Sequence, residues 1–285
     1  MIDLENVKKP LLPVKSDFVF KLIFGDRRNV DILADFLKSV LDINESEYDH
    51  ITIVDPHVKK EFEGDKYSIV DVKIHLKSGN IIHVEIQILP IPQFTHRTIY
   101  QQSKMITEQI TTGLDWAKIK RVVSIIITDH DIISGSNDYH HQFRQRTING
   151  VEFTDLIETN TLELSKLPPE SDTSDLWYWM KFIKSDDLDD KEVLDMIAER
   201  SSATRKAVGV LKELSADERN RMILERREIE RRDWVSIMGG AKQEGRKEGR
   251  KEVAINAINM GLDTATITRL TGLTYQDVEN LRKML

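Results

Sequence analysis

Cysteine is missing from all 285 residues of the chain. Its absence excludes disulfides, thiolate metal sites and a cysteine nucleophile, and it suits a reducing, cytoplasmic setting. Long apolar runs are missing too: nowhere do about 18 apolar residues follow one another, and the N-terminus has no apolar signal segment, so neither membrane insertion nor secretion is expected. Proline is scarce, with 7 in the chain, and Pro168-Pro169 marks the place where the character of the sequence changes. An overall positive charge is also lacking. The net charge of −7 argues against a nucleic-acid binder that is basic all over. What remains is 40% apolar and 31% charged residues, a globular composition with enough chain for one sizeable core and an appendage. The charge is unevenly spread: between 200 and 252 there are 15 Lys or Arg and 10 Asp or Glu, a net of +5 against −12 elsewhere. A locally basic arm on an acidic body is compatible with phosphate contacts, and long solvated helices share that composition.

The most informative stretch runs from Tyr67 to Ile88 and reads as a β-hairpin. Val70, Val72, Ile74 and Leu76 alternate with Ile69, Asp71, Lys73 and His75, and Ile82, Val84, Ile86 and Ile88 alternate with Ile81, His83, Glu85 and Gln87. Each arm has one apolar face and one bearing ionisable groups; an exposed hairpin gives the same alternation. A two-residue Ser78-Gly79 loop sends Asp71 and Glu85 to opposite faces and demands positive φ at Ser78. A three-residue loop, Ser78 to Asn80, pairs Lys77 with Ile81, Asp71 with Gln87 and Lys73 with Glu85, so all four polar side chains share a face. Two carboxylates that close repel each other and call for a cation between them, of which Mg²⁺ is the common hard example and Mn²⁺ a substitute.

Asp71, thirteen intervening residues and Glu85-Ile86-Gln87 resemble the PD-(D/E)XK nuclease core, with Gln87 where the usual lysine stands. Asp17-Phe18-Val19-Phe20-Lys21-Leu22-Ile23-Phe24-Gly25 upstream, and Arg97, Tyr100 and Lys104 downstream, resemble the recombination-promoting nuclease/transposase (Rpn) family of that superfamily. The similarity covers roughly residues 14 to 185 by element order, and the tail is also similar. It implies an α/β fold, a restriction-endonuclease-like mixed β-sheet flanked by helices, followed by an all-α C-terminal extension. It implies a Mg²⁺-dependent DNA endonuclease associated with recombination, mobile elements or defence. Asp71 and Glu85 would bind the metal, Asp17 on the first helix would join them, Gln87 would orient water or phosphate, and Lys104 or Arg97, if their side of the helix faces the hairpin, would supply the missing lysine's charge. Arg97 and Lys73 are further candidates for DNA contact.

Along the rest of the chain, residues 1 to 15 read as an irregular lead-in. Ser16 caps a helix from Asp17 to Phe24, with Asp17 and Lys21 spaced to pair, and Asn29 opens a second amphipathic helix. Ile51 to Val58 reads as the first strand. Phe94 to Thr112 reads as a helix ended by Gly113, with Arg97, Tyr100, Gln101 and Lys104 along one side. Arg121 to Thr128 is a strand buried on both faces, which calls for a mixed sheet covered by helices. His130, Asp131, Asp138, His140 and His141 read as a polar loop, and Val151 to Ile157 and Thr161 to Leu167 as two strands. Residues 1–185 thus form a nuclease-like domain, 186–240 a charged helical segment, and 241–285 a helical tail. In that tail Glu244 to Lys251 repeats EGRK twice; Arg246, Lys247, Arg250 and Lys251 are candidates for phosphate contact, and glycines at every fourth position suit self-association through these C-terminal helices. Ser215 to Glu218 reads as a capping box opening a long helix interrupted at Gly239-Gly240. The stretch from Leu262 to Leu285 is spaced like a helix-turn-helix, with Thr274 and Asp277 as a cap. A second reading makes the body a lapsed nuclease scaffold that binds DNA or oligomerises through these helices.

Overall fold

The structure, a computed structural model, describes residues 10–54, 57–58, 68–69, 71–113, 115–184, 186 and 188–285, and no side chain at 57, 58, 68, 69 or 234. Val70, Tyr67 and the lead-in before Pro10 therefore lie outside the described residues. By packing the chain falls into two units, one ending at Glu218 and one spanning Arg219–Leu285.

The first unit contains α1 (Asp17–Phe24), α2 (Val30–Val40), β1 (Thr52–Val54), β2 (His57–Val58), β3 (Ser68–Ile69), β4 (Val72–His75), β5 (Ile81–Gln87), α3 (Phe94–Thr107), β6 (Val122–Thr128), β7 (His140–Arg146), β8 (Glu152–Glu163), α4 (Asp175–Lys184), α5 (Lys191–Arg200) and α6 (Ser202–Ala216). Six strands form one sheet in the order β1-β4-β5-β6-β8-β7, while β2 and β3 pair separately. The neighbours β5-β6 and β6-β8 are parallel and the other pairs of the large sheet antiparallel, so the sheet is mixed, as its fully buried central strand β6 demands.

One side of this unit is anchored by aromatic rings. Phe20 and Phe24 of α1 stack at 4.5 Å, and Phe24 meets Phe36 of α2 at 5.3 Å and Trp179 of α4 at 5.7 Å. Trp179 also donates its indole N–H to Asp35 at 3.0 Å, so a large ring is buried without an orphaned donor. These contacts fix α1, and with it every polar side chain α1 carries toward the sheet.

The hairpin forms with its faces as expected, but its loop differs. Residues Lys77 to Gly79 make the three-residue turn: Leu76 N–H donates to Asn80 O, and Gly79, at φ 88°, takes the left-handed position. Pairing is thus His75 with Ile81 and, at the end of β4, Val72 with Val84, a register that continued by one residue sets Asp71 opposite Glu85. The register is two residues away from the expected one. A shift of two preserves the period of a strand, so the polar side chains still share a face. Asp71 itself sits in a bend just before β4 rather than within the strand.

Other boundaries differ for local reasons. Ser16 stands at the N-cap of α1 but makes no side-chain capping bond. The strand expected over 51–58 is divided between β1 and β2. Helix α3 stops at Thr107, where Gln109 bonds Met105 O, Lys120 O and Lys120 N and turns the chain early. His140 and His141 open β7 instead of belonging to a loop. The two strands expected beyond 151 are one, β8, because the polar residues at the expected break are satisfied within the sheet: Glu158 takes hydrogen bonds from Arg121, Arg144, Gln142 and Asn160. Ser215 is no cap; it lies buried inside α6 and accepts from Leu12 N–H at 2.9 Å.

The second unit holds α7 (Glu218–Asn259), α8 (Thr264–Thr271) and α9 (Tyr275–Met284). Helix α7 runs through Gly239-Gly240 without a break. Its last turns, with Ala254 and Ala257, pack on Ile267 and Val278 to make a small core. Gly272, at φ 68°, ends α8, and Thr274 with Asp277 forms the expected capping box of α9.

Candidate functional site

Strand β5 carries the site. Its side chains Ile81, His83, Glu85 and Gln87 lie under α3, where Ile81 packs with Met105 and Val122. Because α3 repeats near four residues, Arg97, Gln101 and Glu108 beyond its end descend along this face in turn. Arg97 donates to Glu85 and, at 3.2 Å, to Gln87 Oε1; Gln101 also bonds the Glu85 carboxylate. Lys73 meets Glu108 at 2.9 Å. The polar face of the hairpin is therefore covered rather than solvated.

Asp71 stands at the open end of this face. Its Oδ2 accepts from Ile86 N–H at 2.7 Å, a bond from the neighbouring strand, and its Oδ1 lies 2.9 Å from Lys21 Nζ on α1. Burial pushes the Asp71 carboxyl above the usual range, although Lys21 pulls the other way. Burial likewise raises Glu85; Arg97 opposes this and the charge of Asp71 adds to it. Each acid thus feels its own desolvation first, and Glu85 also feels its partner. Glu85 Oε2 is buried with no hydrogen-bond partner. Two facing hard oxygen donors, one of them an orphaned oxygen, fit a divalent cation such as Mg²⁺. Asp17 is close enough to raise Asp71 further. Among the described residues no group of three or more acidic or histidine side chains is already gathered as a metal cage.

The other expected residues fall in different places. Gln87 gives its amide N–H to Leu89 O at 2.7 Å and its oxygen to Arg97. Lys104 is buried two turns along α3 from Arg97, and the cation that touches Glu85 is Arg97. Lys73 is buried and paired with Glu108, which takes it off any surface that a duplex could touch. Arg246, Lys247, Arg250 and Lys251 are exposed on α7, in the other unit. Of the two basic residues near the chain end, Arg282 donates to Leu262 O at 2.9 Å and so holds its own unit together.

Two residues carry contacts that their sequence positions alone do not indicate. Lys21 pairs with Asp71 across the fold; its place beside the buried Phe20, at the margin of the apolar stripe of α1, was the one signal that it could face the sheet. His83 lies against Ser124 Oγ, fully buried, and burial followed by the charge of Lys73 lowers its pKa to about 3, so it is neutral at ordinary pH.

Residues 14–241 match the profile of the PD-(D/E)XK nuclease family transposases. The chain belongs to that family. No curated protein and no solved structure matches it. Membership in the PD-(D/E)XK transposase family agrees with the fold, and it gives the facing acids of the hairpin a nuclease-like context. Among the described residues, no helix is long and apolar enough to cross a membrane.

Proposed function

We propose that the chain is a divalent-metal-dependent DNA endonuclease, with Asp71 and Glu85 as the metal ligands and Asp17 as their neighbour on α1. The observation that carries this reading is that Asp71, held by Ile86 N–H, lies close enough to add its charge to Glu85 on a covered face, while Glu85 Oε2 is buried without a hydrogen-bond partner. A Mg²⁺ ion held there, with Mn²⁺ as substitute, would make water more acidic and neutralise phosphate charge. The chain's own groups do the rest. Arg97 is bonded to both Glu85 and Gln87, so it fixes the carboxylate and the amide relative to each other before substrate arrives. Ile86 N–H holds Asp71 in line with β5. Cover by α3 lowers the local dielectric and strengthens each charge interaction at the site. Family membership supports DNA as the substrate and a role in recombination, mobile elements or defence. The exposed basic residues of α7 would contribute phosphate contacts, and its glycines a route to self-association.

The test is plasmid cleavage with Mg²⁺ or Mn²⁺ beside Asp71→Ala and Glu85→Ala, with Mn²⁺ binding followed by calorimetry on the same proteins. Cleavage and binding in the wild type, and neither in the variants, is the expected result. Equal nicking by all three would mark a contaminant and end the nuclease reading. A second reading, a lapsed nuclease fold that only docks on DNA, is favoured by the fact that both acids already hold basic partners. It predicts a gel shift that needs no metal and disappears when Arg246, Lys247, Arg250 and Lys251 are neutralised.

A further inference from the structure

We infer that Lys21 is the cation this site uses in place of the lysine its core lacks: it holds Asp71 while no metal is bound, and turns to the scissile phosphate once a divalent ion takes that carboxylate. The inference rests on the nuclease reading above.

Four observations lead to it. First, Lys21 Nζ is 2.9 Å from Asp71 Oδ1, and its side chain is 38% exposed against 12% for Asp71, so the ammonium is the more open member of the pair. Second, both line a cavity of about 440 Å³ together with Arg27, Gly25 and Val72, and the ammonium has room to move there without moving its helix. Third, the candidates on β5 and α3 are placed or committed elsewhere. Gln87 carries no charge and spends its amide on Leu89 and Arg97, Arg97 is bound to Glu85, and Lys104 lies two turns farther along α3. Fourth, α1 is anchored by Phe20 and Phe24, so the base of the Lys21 side chain is fixed while its four-carbon stem is free to swing.

The energetics favour an exchange. A desolvated carboxylate without a partner is costly, so the metal-free protein needs Lys21 on Asp71. With a divalent ion held by Asp71, that carboxylate would no longer need the ammonium, and Lys21 would be left to meet a phosphate oxygen. In the cleavage step a water oxygen bonds to phosphorus and the bond from phosphorus to one bridging oxygen breaks. One proton of the water ends on the departing oxygen, and the other stays on the new phosphate monoester or passes to solvent. Lys21 donates to a non-bridging oxygen of phosphate as negative charge gathers there.

The experiment compares wild type, Lys21→Gln, Lys21→Arg and Asp71→Asn in full-length protein, with three readouts: plasmid cleavage, Mn²⁺ binding by calorimetry without DNA, and thermal melting with and without Mn²⁺. Lys21→Gln should lose about 10²- to 10³-fold in the cleavage rate at saturating DNA. It should bind Mn²⁺ more tightly, by up to about fivefold, because the competing ammonium is gone. Its metal-free form should melt below wild type and recover with Mn²⁺. Lys21→Arg keeps the charge and should restore the competition with Mn²⁺ and part of the rate. Two results overturn the inference and leave the nuclease reading standing: Lys21→Gln cleaving as wild type does while Asp71→Asn is dead, or Lys21→Gln losing cleavage and Mn²⁺ binding together with Lys21→Arg no better. A wild type that neither binds Mn²⁺ nor cleaves overturns both.

Discussion

Two pairs of acidic side chains, one in each unit, sit in opposite electrostatic settings. Asp71 and Glu85 are pushed upward by burial beneath α1 and α3, and neither Lys21 nor Arg97 fully offsets that. Asp263 and Asp277, at the starts of α8 and α9, are held low by the hydroxyl and backbone groups of Thr266 and Thr274 that donate to them. The second pair is content to be charged, because helix N-termini supply donors and solvent surrounds them. The first pair is charged at a cost. An acid that a fold buries and leaves short of donors is poised to take a cation, whereas a capping acid has already spent its oxygens on structure. Residue type alone therefore says little; the donors around each carboxylate separate the reactive from the structural.

That contrast can be broken or sharpened at several points. The largest effect is expected at Phe24→Ala, which empties the ring cluster that fixes α1 and should cost about 3–5 kcal/mol in denaturant unfolding of the first unit. Glu85→Gln comes next. It should lower cleavage by about 10²-fold or more while leaving the unfolding midpoint near that of wild type, since a neutral amide fills the same space without a buried charge. A large loss of stability would mean that Glu85 is structural, like the capping acids. Thr274→Ala should destabilise the second unit by about 1 kcal/mol, read by amide exchange in α9, and leave Mn²⁺ binding unchanged.

The smallest effect, and the one that opposes the two settings most directly, is on pH. For Asp71 and Glu85 the folded pKa lies above the unfolded one, so stability falls as pH rises through that interval and returns on acidification. For Asp263 and Asp277 the folded pKa lies below, so their contribution is present above the unfolded value and is lost as pH falls through the folded one. Acidifying from neutral should first steady the β4-β5 hairpin around Asp71 and Glu85 and then loosen the starts of α8 and α9, in amide exchange resolved by residue. Mn²⁺ binding should weaken at higher pH than ordinary carboxylates would require. Loosening of the β4-β5 hairpin in step with the starts of α8 and α9 would contradict the opposed shifts.

Much of this was legible in the sequence. Alternation within 72–75 and 81–87 told which side chains share a face, and the unbroken apolar run of β6 called for a mixed, covered sheet. Register was harder to read, because parity comes from alternation while the offset depends on where the turn starts; Gly79 takes positive φ, but the loop closes over 77–79 rather than over Ser78 to Asn80. Strand β7, and the continuity of β8 across 158–160, escaped for another reason. The two strands are polar in their middles, and only the network around Glu158 makes them strands. Lys21 shows the same limit at the site: its spacing from Asp17 suggested a local pair, while the contact it makes, with Asp71, spans fifty residues and exists only after the sheet has formed.

Helix α7 carries a last consequence. From Glu218 to Val253 none of its described side chains is buried, so for most of its 42 residues it has no oily side to lean on anything within its unit. Its order must come from neighbour-to-neighbour charge pairs such as Arg226 with Glu230 and Arg231 with Glu228, each worth only about 0.3–0.5 kcal/mol. Such a rod stiffens in dilute buffer and frays in brine, so ionic strength sets how far it holds its tip from its root.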